Sequence, residues 1–299
     1  MLRQAILTAA DNPLARGFVG RYGMRLGASR FVAGETLDEA VVTLRRLNEE
    51  GLRTNTTLLG EGVNEPGETG RVVETYEEIL RRIDSERLQT NVALKLSHLG
   101  VLIDEDLAYA NLERLVAEAA RLDNFIRIDM EESTLVDVTL RIYRRLRESG
   151  FDNVGTVLQA YLYRTPADLE SLLPLQPNLR IVKGAYLEPP EIAYPQKADV
   201  DAAFRKLVAR SVEAGGFTAV ATHDENLVAH ALGLGVGNER LELQMLYGVR
   251  TQLQLDLVHR GHRVLCAAPY GPDWYPYLMR RLAERPANVL FFARSLIRG

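Results

Sequence analysis

The sequence predicts an α/β protein: a distorted (β/α)8 barrel with extra helices ahead of it. Three observations predict it. Short β-type runs alternate with longer stretches of helical period from about residue 52 nearly to the end, the rhythm of parallel β/α units. There are eight such runs, the number that closes a barrel. Polar residues collect where these apolar runs stop, the place where ligands bind on parallel sheets. A doubly wound open sheet is the alternative architecture.

Amphipathic patterns fill residues 2–50, so one or more helices should precede the barrel or plug its bottom. Among them Thr36-x-x-Glu39 spells a capping box, a hydroxyl and a carboxylate that satisfy each other's free amides at a helix start. Strands are expected at 52–59, 91–96, 125–129, 154–160, 179–183, 217–222, 241–246 and 263–267. Thr165-Pro166 places proline at a first helical position, and Gly51, Gly150 and Gly215 follow helical stretches. No linker interrupts the pattern. One domain over 1–299 is expected, with helices in 1–50 and the barrel with its C-terminal helices in 51–299.

Composition narrows the function. The 299 residues are 46% hydrophobic and 25% charged, which excludes disordered and low-complexity classes. Formal charge is −4, from 36 Lys+Arg against 40 Asp+Glu, so no bulk positive field would draw the chain onto nucleic acid. The single cysteine, Cys266, lies in an apolar run and reads as a small buried hydrophobe in a reducing compartment. No secretory leader and no run of about 18 apolar residues is visible. A cytoplasmic protein is expected, at most peripheral to the inner face of a membrane.

The strand ends read Lys95-Leu96-Ser97, Asp129, Gln159-Ala160-Tyr161, Lys183-Gly184, Thr222-His223-Asp224 and Gln244-Met245. One polar strand end commonly faces water. Six together are harder to leave without a purpose, because burying each unpaired would cost on the order of 1 to 3 kcal/mol. A shared polar ligand or a mutual network is the simplest explanation. Thr222-His223-Asp224 also reads as a helix N-cap. The run 233–237 is glycine-rich but follows a helix, so it reads as a loop. His259 and His262 lack acidic or cysteine company, and no metal is expected.

Residues 272–286 read as a helix between prolines, with Tyr277, Arg280 or Arg281, and Glu284 on neighbouring turns. Adjacent arginines diverge by roughly 100° around a helix, so both reach one ligand only if the helix lies across it. An outer-ring position would leave both solvated.

Four segments, Arg180-Ile181-Val182-Lys183-Gly184-Ala185-Tyr186, Ala221-Thr222-His223-Asp224, Gln244-Met245-Leu246-Tyr247-Gly248 and 275–286, occur in an order and spacing that resembles the bacterial monofunctional proline dehydrogenases over essentially the whole chain. The resemblance implies a last helix over the barrel mouth and non-covalent FAD. It implies oxidation of L-proline to Δ1-pyrroline-5-carboxylate by hydride transfer to flavin N5. Electrons would pass to a membrane quinone, and the product to pyrroline-5-carboxylate dehydrogenase.

Carried over by motif, Arg280, Arg281 and Lys95 would clamp the substrate carboxylate, while Leu246 and Tyr277 would face the proline ring. Lys95, Asp129 and Arg180 would be catalytic, with Asp129 supporting Lys95 and the flavin edge and Arg180 near N5. The FAD set would be Asp129, Gln159, Arg180, Lys183, Gly184, Ala185, Tyr186, Thr222, His223, Asp224, Gln244, Met245, Leu246, Arg281 and Glu284. Ala267 departs from relatives that carry tyrosine there, which opens one pocket wall. Glu61 would pair with an arginine of the last helix as a gate.

The residues themselves suit that chemistry. Guanidinium groups match a carboxylate in bidentate fashion, and a cationic shell disfavours a further positive charge, which keeps a substrate amine neutral. No obligatory side-chain base is expected. Two other readings stay open from the residues alone: a lyase forming a Schiff base on Lys95 or Lys183, and a barrel that binds without turnover.

Overall fold

The computed structural model describes residues 28–60 and 62–284, with 280–284 described by backbone alone. Eight parallel strands, β1 (Arg53–Thr56), β2 (Thr90–Lys95), β3 (Ile126–Asp129), β4 (Val154–Gln159), β5 (Leu179–Val182), β6 (Thr218–Ala221), β7 (Leu241–Leu246) and β8 (Val264–Ala267), close into a barrel in chain order. The seam is made by β8 against β1, with Arg53 opposite Leu265 and Asn55 opposite Ala267. Closure excludes the open doubly wound sheet.

Every expected strand is present and β7 has the expected ends. The largest difference is at β1, which stops at Thr56. Beyond it the chain leaves β2 and turns to the loop after β8: Leu58 bridges Tyr270, and the Leu59 amide donates to the Tyr270 carbonyl at 2.7 Å.

The helices are α1 (Leu37–Glu49), α2 (Pro66–Ser85), α3 (Glu105–Arg121), α4 (Val136–Glu148), α5 (Thr165–Leu172), α6 (Lys197–Glu213), α7 (Glu225–Leu232), α8 (Thr251–His259) and α9 (Trp274–Glu284). α1 begins with the expected capping box, both reciprocal hydrogen bonds being made between Thr36 and Glu39. The helix-ending glycines Gly51, Gly150 and Gly215 take φ of 83°, 90° and 93°, the left-handed conformation that closes a helix without a Cβ penalty.

α1 does not plug the bottom of the barrel. Its Asp38 pairs with Arg82 of α2, and its Arg45 with Glu86 at the C-cap of that helix. On its other flank Arg46 donates to the Tyr247 hydroxyl beside α8. It therefore stands in the outer wall between α8 and α2, the place where the helix after β8 would stand in a regular barrel. That leaves α9 free to sit elsewhere. α9 packs in a separate apolar cluster in which Trp274, Tyr275 and Leu278 meet Phe31, Val32 and Leu59, and the Trp274 indole donates to Glu35 at 2.7 Å.

The barrel interior is unusually polar. Layers of branched apolar side chains normally fill it, but here β3 contributes Arg127 and Asp129, β5 Arg180, and β7 Glu242 and Gln244. Small residues on the neighbouring strands make the room. A Cβ on Gly155 would lie 2.4 Å from Arg127 Nη1. Burial, then the Arg180 charge, pulls the Arg127 pKa down to about 9, and two carbonyls and the Asn178 side chain accept from its guanidinium.

Candidate active site

A cavity of about 1170 Å³ opens at the carboxyl ends of the strands. Its core side is built by Lys95, Asp129 and Arg180. Lys95 and Asp129 end β2 and β3 in direct register. The Asp129 carboxylate accepts from Arg180 Nη1 at 2.6 Å, and Arg180 Nε donates to Gln244 Oε1 at 2.5 Å.

Gln159 ends β4 and also lines the cavity. Its Nε2 donates to the Glu131 carbonyl at 2.7 Å. Its Oε1 is buried and accepts no hydrogen bond among the described residues, a state that costs about 1–3 kcal/mol unless something donates to it. Glu131 itself is buried and accepts from both the amide and the hydroxyl of Ser97. Burial raises its carboxyl pKa, opposed by those hydrogen bonds and by the charge of Lys95.

The opposite side of the rim carries a second charged group. Lys183 Nζ lies 2.6 Å from Asp201 and 3.4 Å from Asp224, and Lys197 contacts the same two carboxylates. Burial alone would raise both aspartates, but the two ammonium groups win and hold them below the usual carboxylate range. Asp224 caps α7, accepting from the Asn226 amide, so the N-cap reading of Thr222-His223-Asp224 is correct. It coexists with a place on the cavity wall for all three residues.

His223 accepts the Leu246 amide on Nε2 at 3.2 Å, which in the neutral ring leaves the proton on Nδ1. Gly184 has φ 119°, and a Cβ there would lie 2.1 Å from Tyr161 Cδ1, so only glycine fits.

The cavity thus brings together Lys95, Asp129, Gln159, Arg180, Lys183, Gly184, Ala185, Tyr186, Thr222, His223, Asp224, Gln244, Met245, Leu246 and Tyr277. Asp273, Pro276 and Tyr277 belong to or lead into α9, so the last helix reaches the mouth. Arg280, Arg281 and Glu284 follow on the same helix, where the backbone alone is described, and Glu61 lies outside the described residues. Ala267 is on the wall.

Sequence reasoning missed Asn55, Thr57, Lys197 and Arg250, all of which line the cavity. Arg250 caps the rim by donating to the His223 carbonyl and pairing with Glu225. Lys197 carried a signal, being one of four lysines in the chain. Among the described residues no group of three or more His, Cys, Asp or Glu is placed to hold a metal ion, and no helix is long and apolar enough to cross a membrane.

The family model described as "Proline dehydrogenase" matches residues 40–294. The chain belongs to the proline dehydrogenase family. Proline dehydrogenase of Deinococcus radiodurans is 42% identical, covering 100% of this chain and 99% of its own length. Proline dehydrogenase 1 of Bacillus subtilis is 39% identical, with 100% of both covered. The bifunctional protein PutA of Escherichia coli is 27% identical over 97% of this chain but only 25% of its own. The fold matches proline utilization A from Bdellovibrio bacteriovorus, solved after inactivation by N-propargylglycine. There the TM-score is 0.84 at 24% identity, over 95% of this chain and 36% of that one. This proline dehydrogenase family member therefore aligns with the first two relatives from end to end, and with a quarter of PutA.

Proposed function

We propose that this member of the proline dehydrogenase family oxidises L-proline to Δ1-pyrroline-5-carboxylate with non-covalent FAD, the first step of proline catabolism. One observation carries the reading: a single cavity joins a cluster of Lys95, Asp129 and Arg180 to a rim of two lysines and a helix N-terminus. Its volume exceeds the roughly 300–1,000 Å³ typical of one drug-sized ligand, as a site for a dinucleotide beside a small substrate must.

The residues present fit FAD. Gln159 lines the cavity, and its Oε1 is a buried acceptor without a hydrogen bond among the described residues, which would suit a ring imide N–H. Arg180 would sit by the ring, stabilising negative charge that develops there. Lys183, Lys197 and the start of α7 suit a pyrophosphate, because helix N-termini present free amides and a positive dipole end. Gly184, Ala185, Tyr186, Thr222, His223, Asp224, Gln244, Met245, Leu246, Arg281 and Glu284 complete the proposed cofactor shell. When bound, FAD supplies the two-electron acceptor, which a membrane quinone would then reoxidise.

The chain's own part is to bind and orient. Lys95, Arg280 and Arg281 would hold the substrate carboxylate, with Leu246 and Tyr277 against the ring carbons. The same cations disfavour a protonated substrate amine, so the lone pair is available without a dedicated base. Asp129 is committed to Arg180, which suits a positioning rather than a proton-accepting task. Lys183 gives its ammonium to two carboxylates, which counts against a Schiff-base lyase. Product would pass to pyrroline-5-carboxylate dehydrogenase.

The test is anaerobic addition of L-proline to the purified, flavin-loaded protein. The yellow colour should bleach, and D-proline should leave it. A flavin that stays oxidised while L-proline demonstrably binds would defeat the proposal.

A further inference from the structure

We infer that Glu242, a carboxylate sealed inside the barrel beneath the cavity, is a positioning residue that sets the aim of Arg180. The inference rests on the proposed function only for one of its two readouts. Glu242 and Gln244 are two apart on β7 and so point to the same, inward face. Both are almost fully buried, at 2% and 4% exposure. Gln244 Nε2 donates to Glu242 Oε1 at 2.6 Å, while Gln244 Oε1 accepts from Arg180 Nε at 2.5 Å. Below, Arg263 Nε lies 2.6 Å from Glu242 Oε2, and Arg53 lies at 3.9 Å.

This column has one polarity. A carboxylate only accepts and a guanidinium only donates, so the amide between them has one allowed orientation. Its carbonyl must face Arg180. Arg180 is thereby held by two acceptors, Gln244 on Nε and Asp129 on Nη1, while Nη2 makes no hydrogen bond among the described residues and belongs to a side chain on the cavity wall. A charge placed at the floor of the barrel, anchored by two arginines of the opposite end, therefore determines which edge of a guanidinium faces the ligand.

The test exchanges the two side chains. In Glu242→Gln the new amide must give its carbonyl to Arg263, which turns its NH2 toward the NH2 of Gln244. Gln244 then flips and meets Arg180 donor to donor. In the double variant Glu242→Gln/Gln244→Glu the pattern is restored, since the amide introduced on the lower position donates to the carboxylate introduced on the upper one, which in turn accepts from Arg180. Charge and shape are conserved overall.

Two readouts are taken on the full-length protein: the FAD dissociation constant from flavin fluorescence, and the Nε–H proton shift of Arg180 by ¹⁵N NMR without FAD. The single variant should bind FAD about tenfold more weakly, as for one misaligned charge-assisted hydrogen bond, and move the Arg180 resonance. The exchange should return both toward the parent. If the exchange variant is no better than Glu242→Gln in either readout, or neither folds, Glu242 serves stability alone and the inference falls. A parent protein that takes up no FAD would defeat the proposed function instead, leaving the resonance to decide this one.

Discussion

Gly155 and Gly184 show how single residues shape the site. Gly155 vacates the volume that the Arg127 guanidinium fills, so Gly155→Ala should destabilise the barrel by about 2 kcal/mol or more through overpacking against groups that cannot retreat. Gly184 combines φ of 119° with a backing Tyr161 ring. Its alanine variant meets both backbone strain, about 1–3 kcal/mol, and a clash. Urea midpoints read both effects, and only Gly184→Ala should also weaken FAD uptake, because only Gly184 lines the cavity. An equal loss of uptake in the two variants would contradict that distinction. Much at this scale was legible in the sequence: Lys95, Asp129, Gln159, Lys183 and Gln244 each stand out as a polar group ending an apolar run. Glu242 was not, because it lies early in its strand, where a charge reads as solvent-facing. Arg250 was not, because nothing in the sequence separates it from the many other arginines.

At the scale of elements, α1 takes the wall place that a regular barrel gives to the helix after β8, and α9 reaches the mouth instead. The capping box of α1 was readable from spacing alone, since the two partners lie within one turn. Removing it with Thr36→Ala should cost about 1 kcal/mol, seen as a lower thermal midpoint. The place of α1 in the wall was not readable, because an amphipathic face states that a helix packs and not against what. α9 depends on a small cluster around Trp274 rather than on the main core. Trp274→Ala should therefore free the helix locally: amide exchange over 274–279 accelerates while β4 to β6 keep their protection. The L-proline KM should rise with little change in the barrel's melting. Uniformly faster exchange throughout the chain would show instead that this cluster is part of one cooperative unit.

For the molecule as a whole, acid stability should depend on the rim. Asp201 and Asp224 have folded pKa values below their unfolded ones. Their contribution is thus complete above the unfolded value of ~3.9 and is lost as pH falls through the folded one. Stability measured by denaturant should drop below about pH 4, and Asp201→Asn should flatten that slope. Glu118, Asp137 and Glu170 are depressed as well, by arginines at exposed positions, and salt should erase their share while sparing the half-buried rim. A slope unaffected by Asp201→Asn would place the acid limb elsewhere. The barrel itself was the most legible feature, because eight short β-type runs alternating with helical stretches leave few topologies, while the run 57–59 escaped since its partner arrives some two hundred residues later.

That late arrival has a consequence for synthesis. The apolar face of α1, with Ala40, Val41, Leu44 and Leu47, is completed by a seam whose last strand begins at Val264. At translation speeds of about 5–20 residues per second, the nascent chain carries that stripe uncovered for roughly 10–40 s. Ribosome-bound fragments ending before residue 264 should recruit a holdase chaperone through it, and release the chaperone once the eighth strand has cleared the exit tunnel.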